Sequence, residues 1–403
     1  MSTLPTTPST PGRPTPEDFL ELVERGKRGR LKLYLGFAAG VGKTYRMLEE
    51  AHALQRRGTD IVIGFVETHG RVETVALLAG LEQIPLRRIE YRAVSVEEMS
   101  LNNILKRKPA VVIVDELAHT NAPGSRNQKR YQDVVELLNA GINVIGAFNI
   151  QHLESLKDIV ERVTGVVIRE TIPDSFLKQA DQMVNLDLTV EDLQERLRGG
   201  KIYAADKIPW ALEHFFKTQN LHHLRELALR EVAESVQRSA SSASAGLAQA
   251  SRDGGPSAPA STGTPSRIAV CLSSASPRAA TLVRKGSRLA GRLNTDWFVV
   301  FVQLPREAPE QIDAAAQRHL LANAELAREM GAEVVRLKGR DPVEALLEFA
   351  RSHSVGHLVV GRSHQSWWRQ FFGRTIPLRL VKEAAGLDVH VVATTADDQG
   401  GGA

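Results

Sequence analysis

Residues 36 to 44 read GFAAGVGKT, a glycine-rich stretch closing on Gly42-Lys43-Thr44, between the apolar run Leu31, Leu33, Tyr34, Leu35 and a helix-like segment. Such a loop wraps a phosphate in backbone N–H groups at a helix N-terminus, its lysine reaching the β- and γ-phosphates and the next hydroxyl ligating Mg2+. Gly36, Ala39, Gly40, Val41, Gly42, Lys43, Thr44 and Tyr45 are therefore the candidate nucleotide-contacting positions, and the chemistry is that of an ATP or GTP user. One feature departs from the pattern. Phe37 occupies the place of the first glycine, and the glycine sits one residue earlier at Gly36.

A metal-holding strand should accompany such a loop. Val111-Val112-Ile113-Val114-Asp115-Glu116 is an apolar run ending in two carboxylates. Asp115, with Thr44, is the candidate Mg2+ holder, and Glu116 is the candidate catalytic group, able to orient or deprotonate a nucleophile. Many strands end in Asp-Glu with only solvent to meet, so the weight comes from the pairing with residues 36 to 44. His119, Thr120, Arg126, Lys129 and Arg130 follow closely. A cation among them could meet a γ-phosphate as an arginine finger does, or the group could be a solvated basic loop. Glu67, His69 and Arg71 after one apolar run, and His152 after another, occupy strand carboxyl ends where ligands bind in parallel sheets. A zinc site is not expected, because His69, His119 and His152 lack paired ligand spacing and no cysteine is near. His222-His223 could suggest a phosphoryl acceptor, but surface histidines on a helix are the commoner case.

The elements that must position these residues alternate. Apolar runs at 31–35, 61–65, 111–114, 143–147, 165–168 and, more weakly, 183–186 are separated by helix-like stretches, which argues for a parallel sheet with helices on both faces. Phe216, Leu224, Leu227 and Val232 recur at helical spacing between 212 and 236, giving a core-facing helix. Residues 239–265 are rich in Ser, Ala, Gly and Pro and read as a flexible linker, and a second, more compact α/β alternation occupies 266–395. The expected organisation is a disordered tail at 1–16, a P-loop domain at 17–238, the linker, a smaller α/β domain at 266–395 and a polar tail at 396–403.

A length of 403 residues suits two or three domains, and 42% hydrophobic with 24% charged residues suits a soluble protein with buried cores. The net charge of +4 is too small and too dispersed for a dedicated nucleic-acid binder. Cys271 is the single cysteine, so no intrachain disulfide forms and a reducing compartment fits. No run approaches the ~20 apolar residues of a membrane-spanning helix, and the Pro/Thr/Ser-rich start lacks the build of a secretory signal. The expectation is a cytoplasmic protein without a membrane span.

The loop GFAAGVGKTYRMLEEA, then VETHGRVET, DELAHTNAPGSRNQKRYQDVVELLNAGINVIGAFNIQHLESL, RETIPD and NLHHLRELALREVA resemble, in this order across about 28–236, the cytoplasmic N-terminal domain of the KdpD potassium sensor-kinase family. Residues 266–395 resemble the universal-stress-type domain that follows it there. The resemblance implies an ATP-binding regulatory input to signalling that controls high-affinity potassium uptake. It stops short of the family's membrane and histidine-kinase parts, so histidine-kinase activity is not expected of this chain, and output would pass through a separate kinase or a KdpE-type response regulator. It also implies a second ligand. Some relatives bind cyclic di-AMP through a Ser-x-Ser pair and an aromatic strand, which here maps onto Ser274, Ser276, Trp297 and Phe301. ATP is not expected in the second domain, since Gly361 is followed by His364 and Arg374-Thr375 where two further glycines are called for. Two other readings stay open: a P-loop ATPase or phosphotransferase in its own right, and a cyclic di-AMP-sensing module.

Overall fold

A computed structural model describes residues 28–91, 94–250, 267–272, 279–293, 295–304, 314–361, 376–384 and 386–392. The chain is α/β. Its contacts group it into two compact units, Met1–Tyr34 with Thr44–Ala147, and Leu35–Lys43 with Phe148–Ala403.

The first sheet contains β1 (Leu31–Gly36), β2 (Ile61–Phe65), β3 (Glu82–Gln83), β6 (Val111–Val114), β7 (Asn143–Asn149) and β8 (Gln182–Leu186) in the order β3-β2-β6-β7-β1-β8. The registers of β2 with β3 and β6, and of β6 with β7, are all parallel. Val112, Ile113 and Val114 are fully buried, which is what a continuous apolar run needs when helices cover both faces of a strand. Helix α1 (Lys43–Arg56) follows β1 after the loop 37–42. Helix α2 (Arg130–Asn139) leads back to β7, with Val134, Leu137 and Leu138 buried on one stripe.

Three local expectations are corrected. Residues 165–168 form no strand: Gly165 ends a helix in the left-handed conformation, the Ile168 N–H is taken by the Glu161 carboxylate at 2.8 Å, and Val167 is exposed. An antiparallel hairpin, β4 (Arg87–Tyr91) with β5 (Val94–Glu98), stands where only helix-like sequence was expected between parallel strands. The helix expected over 212–236 runs as α4 from Thr218 to Ala250, so the stretch expected to open the linker at 239 is helical to 250. Alanine is the best helix former and serine is tolerated there, so a Ser/Ala-rich stretch without Pro, interrupted only by Gly246, does not stop a helix.

The second sheet comprises β9 (Arg267–Leu272), β10 (Trp297–Gln303), β11 (Glu333–Lys338), β12 (Val355–Gly361) and β13 (Asp388–Val392), ordered β11-β10-β9-β12-β13 and parallel in every register. Side chains alternate between its faces with the strand period of two. Ile268, Val270, Trp297 and Val299 meet helix α5 (Ala279–Leu293) through Leu282, Val283 and Ala290, whereas Ala269, Phe298 and Val300 meet Val343, Leu346, Phe349 and Leu380. Burial raises the Cys271 thiol to about 12, which keeps it in the unreactive protonated form.

Candidate phosphate-binding site

In the unit that contains the loop, the displaced glycine explains itself. A Cβ on Gly36 would lie 2.5 Å from Val41 Cγ2 and 3.1 Å from Lys43 Cδ, so the loop folds back over this glycine and a larger residue would displace the Val41 and Lys43 side chains. Phe37, at the pattern's usual glycine place, is 1% exposed and anchors the loop instead. Gly40 and Gly42 have φ of +90° and +100°, the left-handed region that glycine enters without penalty. Lys43 is almost buried, and its Nζ donates to the Ala38 carbonyl at 3.4 Å and to Asn149 Oδ1 at the end of β7. The lysine is thus turned back over its own loop. Helix α3 (Val190–Arg198) and Ile202 press on the same loop: Leu193 and Ile202 pack where a Gly40 Cβ would stand, and Arg196 Nη1 donates to the Gly40 carbonyl at 3.1 Å.

In the other unit, Thr44 Oγ1 donates to Asp115 Oδ2 at 2.6 Å. Asp115 is 5% exposed, and its second oxygen accepts the Glu116 backbone N–H at 2.8 Å, so both oxygens are oriented by the chain. Glu116 sits at φ +51° and His69 at +50°, a conformation that is rare for non-glycine residues and concentrates at functional sites. Their side chains face each other, His69 Nε2 lying 3.9 Å from Glu116 Oε1. Burial and the Asp115 carboxylate raise the Glu116 pKa, with Arg130 and His69 opposing.

Arg130 corrects both readings made of it. It is neither an arginine finger in waiting nor part of a solvated loop: it is 0% exposed, its guanidinium lies 3.7 Å from the Phe65 ring centroid, and it donates to Glu98 Oε2 at 3.3 Å and to the Asp115 carbonyl at 3.4 Å. Glu98, at the end of the hairpin, is 3% exposed and also accepts from the Ala122 N–H at 2.7 Å and from His119 Nε2 at 3.0 Å. Burial pushes its carboxyl up, but these donors outweigh that and hold the pKa below the usual glutamate value. Lys129 donates to Thr120 at 2.7 Å, and Arg126 pairs with Glu136 at 2.8 Å. His152 Nδ1 lies 2.9 Å from the Glu170 carbonyl, and His222 and His223 are exposed on α4.

The residue types fit a Mg-nucleotide: a backbone cradle, a lysine, and a hydroxyl in contact with one carboxylate. Mg2+ bound with phosphates takes only one or two protein ligands, so the lack of any three-residue metal cluster among the described residues is compatible with it. Tyr45 is 39% exposed at the start of α1. Of the residues that the resemblance maps onto a second ligand, Trp297 is a core side chain, 2% exposed and packed in the cluster that includes α5 residues, and Phe301 packs against the same cluster, so Trp297 itself is not available as a ligand contact. Ser274, Ser276 and residues 362–375 lie outside the described residues.

The sequence reading does not single out Glu98, Asn149 or Arg196. Asn149 has a readable signal, a polar residue ending the apolar run 144–148, whereas Glu98 meets Arg130, and Arg196 meets the Gly40 carbonyl, from elements distant in sequence.

The KdpD family model, described as the osmosensitive K+ channel His kinase sensor domain, matches residues 27–236. The chain belongs to the KdpD sensor family. The universal stress protein family model matches residues 265–392. The chain is 42% identical over 367 residues to a putative sensor protein KdpD of Synechocystis, covering 91% of this chain and 95% of that one. It is 43% identical over 384 residues to the sensor protein KdpD of Escherichia coli, covering 95% of this chain and 41% of that one, and 43% identical over 376 residues to that of Mycobacterium tuberculosis, covering 93% and 42%. It therefore spans about two fifths of the length of those two KdpD proteins and nearly all of the Synechocystis one. A solved universal stress protein in complex with cAMP aligns with 32% of this chain and 98% of its own at 24% identity and a TM-score of 0.26. Among the described residues no helix is long and apolar enough to cross a membrane.

Proposed function

We propose that the chain is a Mg-ATP-binding regulatory module of the KdpD type, feeding a response regulator of the KdpE type in the control of high-affinity potassium uptake. The observation that carries the nucleotide part is the 2.6 Å contact between Thr44, the last residue of the phosphate loop, and Asp115 at the end of β6. A hydroxyl and a carboxylate meeting there could serve as the one or two protein ligands such a metal takes beside phosphates, and family membership supports the signalling part. Mg2+ when bound would neutralise charge on the β- and γ-phosphates. The loop N–H groups and Lys43 would bind the phosphates, with Lys43 leaving Asn149 to do so, and Asp115 would orient Thr44. The buried Arg130 and Glu98 keep the segment from 115 to 130 in place.

Calorimetric titration of Mg-ATP tests this. Lys43→Ala removes a charge-assisted contact of about 1.5–3 kcal/mol, so affinity should fall roughly ten- to a hundred-fold. Unchanged binding by that variant, or no binding by the parent chain, would end the reading.

A second reading, ATP turnover, is favoured by one feature: Glu116 sits in the left-handed conformation beside Asp115 with its side chain open to solvent, within reach of a nucleophile. Sustained phosphate release that disappears in Glu116→Gln supports it, and binding without release rejects it. The cyclic di-AMP reading is not carried further, because Trp297 belongs to the core.

A further inference from the structure

Among the described residues, Arg196 stands on the phosphate loop without a carboxylate partner. Helix α3 starts at Thr189, whose Oγ1 accepts the Asp192 N–H at 3.1 Å, and Val190, Leu193 and Leu197 bury one face of it. That face seats tightly: on Gly40 a Cβ would lie 2.2 Å from Ile202 Cδ1 and 3.3 Å from Leu193 Cδ1. Asp192 precedes Arg196 by one helical turn and Glu195 is its neighbour, yet the guanidinium pairs with neither. Among the described residues its guanidinium makes one protein bond, Nη1 to the Gly40 carbonyl, and Nη1 also lies 3.8 Å from where a Gly42 Cβ would be. A guanidinium carries five N–H donors in a planar fork suited to phosphate, so most of this one's capacity is unspent beside the loop glycines.

We propose that Arg196 is a phosphate ligand of this loop, a second cation beside Lys43 that turns its fork from the Gly40 carbonyl to the outer phosphates of a nucleoside di- or triphosphate. The proposal rests on the phosphate-site reading above. Electrostatics favour it. A polyphosphate chain brings several negative charges, and Lys43 offers one positive charge against them. Arg196 reaches the loop from a helix that the glycine-rich motif does not include, so the nucleotide would tie the segment from 190 to 202 to the loop and make that segment responsive to the number of phosphates bound.

The test is titration of the full chain with Mg-ATP, Mg-ADP and AMP, using Arg196→Ala, Arg196→Gln, Arg196→Lys and Lys43→Ala. A phosphate ligand predicts that Arg196→Ala and Arg196→Gln each weaken Mg-ATP roughly ten- to a hundred-fold, with less effect on Mg-ADP and least on AMP, and that Arg196→Lys recovers part of the loss. Glutamine keeps an N–H for the Gly40 carbonyl but no charge. Parent-like Mg-ATP affinity in Arg196→Gln would therefore reduce Arg196 to a clamp on the loop and overturn the proposal. Equal losses for all three nucleotides would overturn it too. If the parent chain binds Mg-ATP and Lys43→Ala does not, while Arg196→Ala binds normally, the phosphate site stands and only the role of Arg196 falls; no binding by the parent chain removes both.

Discussion

The two parallel sheets solve the same packing problem with opposite chemistry at their buried positions. In the region up to residue 236, Lys43, Glu98, Asp115, Arg130, Asp133 and Glu154 are all buried, whereas the buried polar residues described between 267 and 392 are the neutral Ser287 and Asn323. Burying a charge costs several kcal/mol unless it is paired and hydrogen-bonded, so a sheet built only for stability has no reason to accumulate such groups. The contrast is what the proposed phosphate site would require of the first region, and it rests on partners such as Arg130 and Glu98.

The largest expected effect follows from breaking that pair. Arg130→Ala leaves the Glu98 carboxylate buried with one of its donors gone and removes the cation beside the Phe65 ring, so it should destabilise the protein by about 3–5 kcal/mol. Denaturant unfolding measures it. A loss under about 1 kcal/mol, the range of exposed pairs, would mean that water reaches the pair and that the contrast between the sheets is weaker than drawn.

In the second sheet the sensitive point is steric. Gly286 lets α5 lie close on β9 and β10: a Cβ there would come within 2.2 Å of Val270 Cγ2 and 3.2 Å of Trp297 Cζ3. Overpacking costs about 1–3 kcal/mol and the better helix propensity of alanine returns up to about 1, so Gly286→Ala should lose roughly 1–2 kcal/mol. A gain in stability would show that α5 can lift off its sheet and that this core is loosely packed.

The same contrast separates what was legible in the sequence from what was not. The loop at 36–44 and the strand ending in Asp115-Glu116 could be read because their chemistry is local: glycines at fixed spacing, a lysine, and an apolar run stopped by carboxylates. The α/β alternation of the second region could be read because each strand or helix declares its own period. Arg130 could not. It looks like one more cation in SRNQKR, and its burial depends on Glu98, 32 residues earlier, arriving on a hairpin. Arg196 is 156 residues from the Gly40 carbonyl that it holds. Residues 165–168 misled for a related reason, since a β-rich composition does not say whether a neighbouring strand is there to pair with.

The smallest effect sharpens the contrast most, because it should appear in one region alone. The Glu98 pKa is held below the ordinary glutamate value of 4.5 by His119, the Ala122 N–H and Arg130 against the push of burial. Around that range the unfolded chain binds more protons at this residue than the folded chain does, so its contribution to stability is fully present above the unfolded pKa and is lost as pH falls through the folded one. Hydrogen exchange followed from pH 6 downward (roughly a unit per step) should show protection falling first over 94–98 and 119–134, ahead of β9 and β10. In Glu98→Gln the charge is gone at every pH, so protection over the same residues should start lower and its acid slope should flatten. Loss of protection in β9 and β10 at the same pH, with an unchanged slope in Glu98→Gln, would place the acid-sensitive carboxylates elsewhere and remove the Glu98 network from the account of how the segment at 115–130 is held.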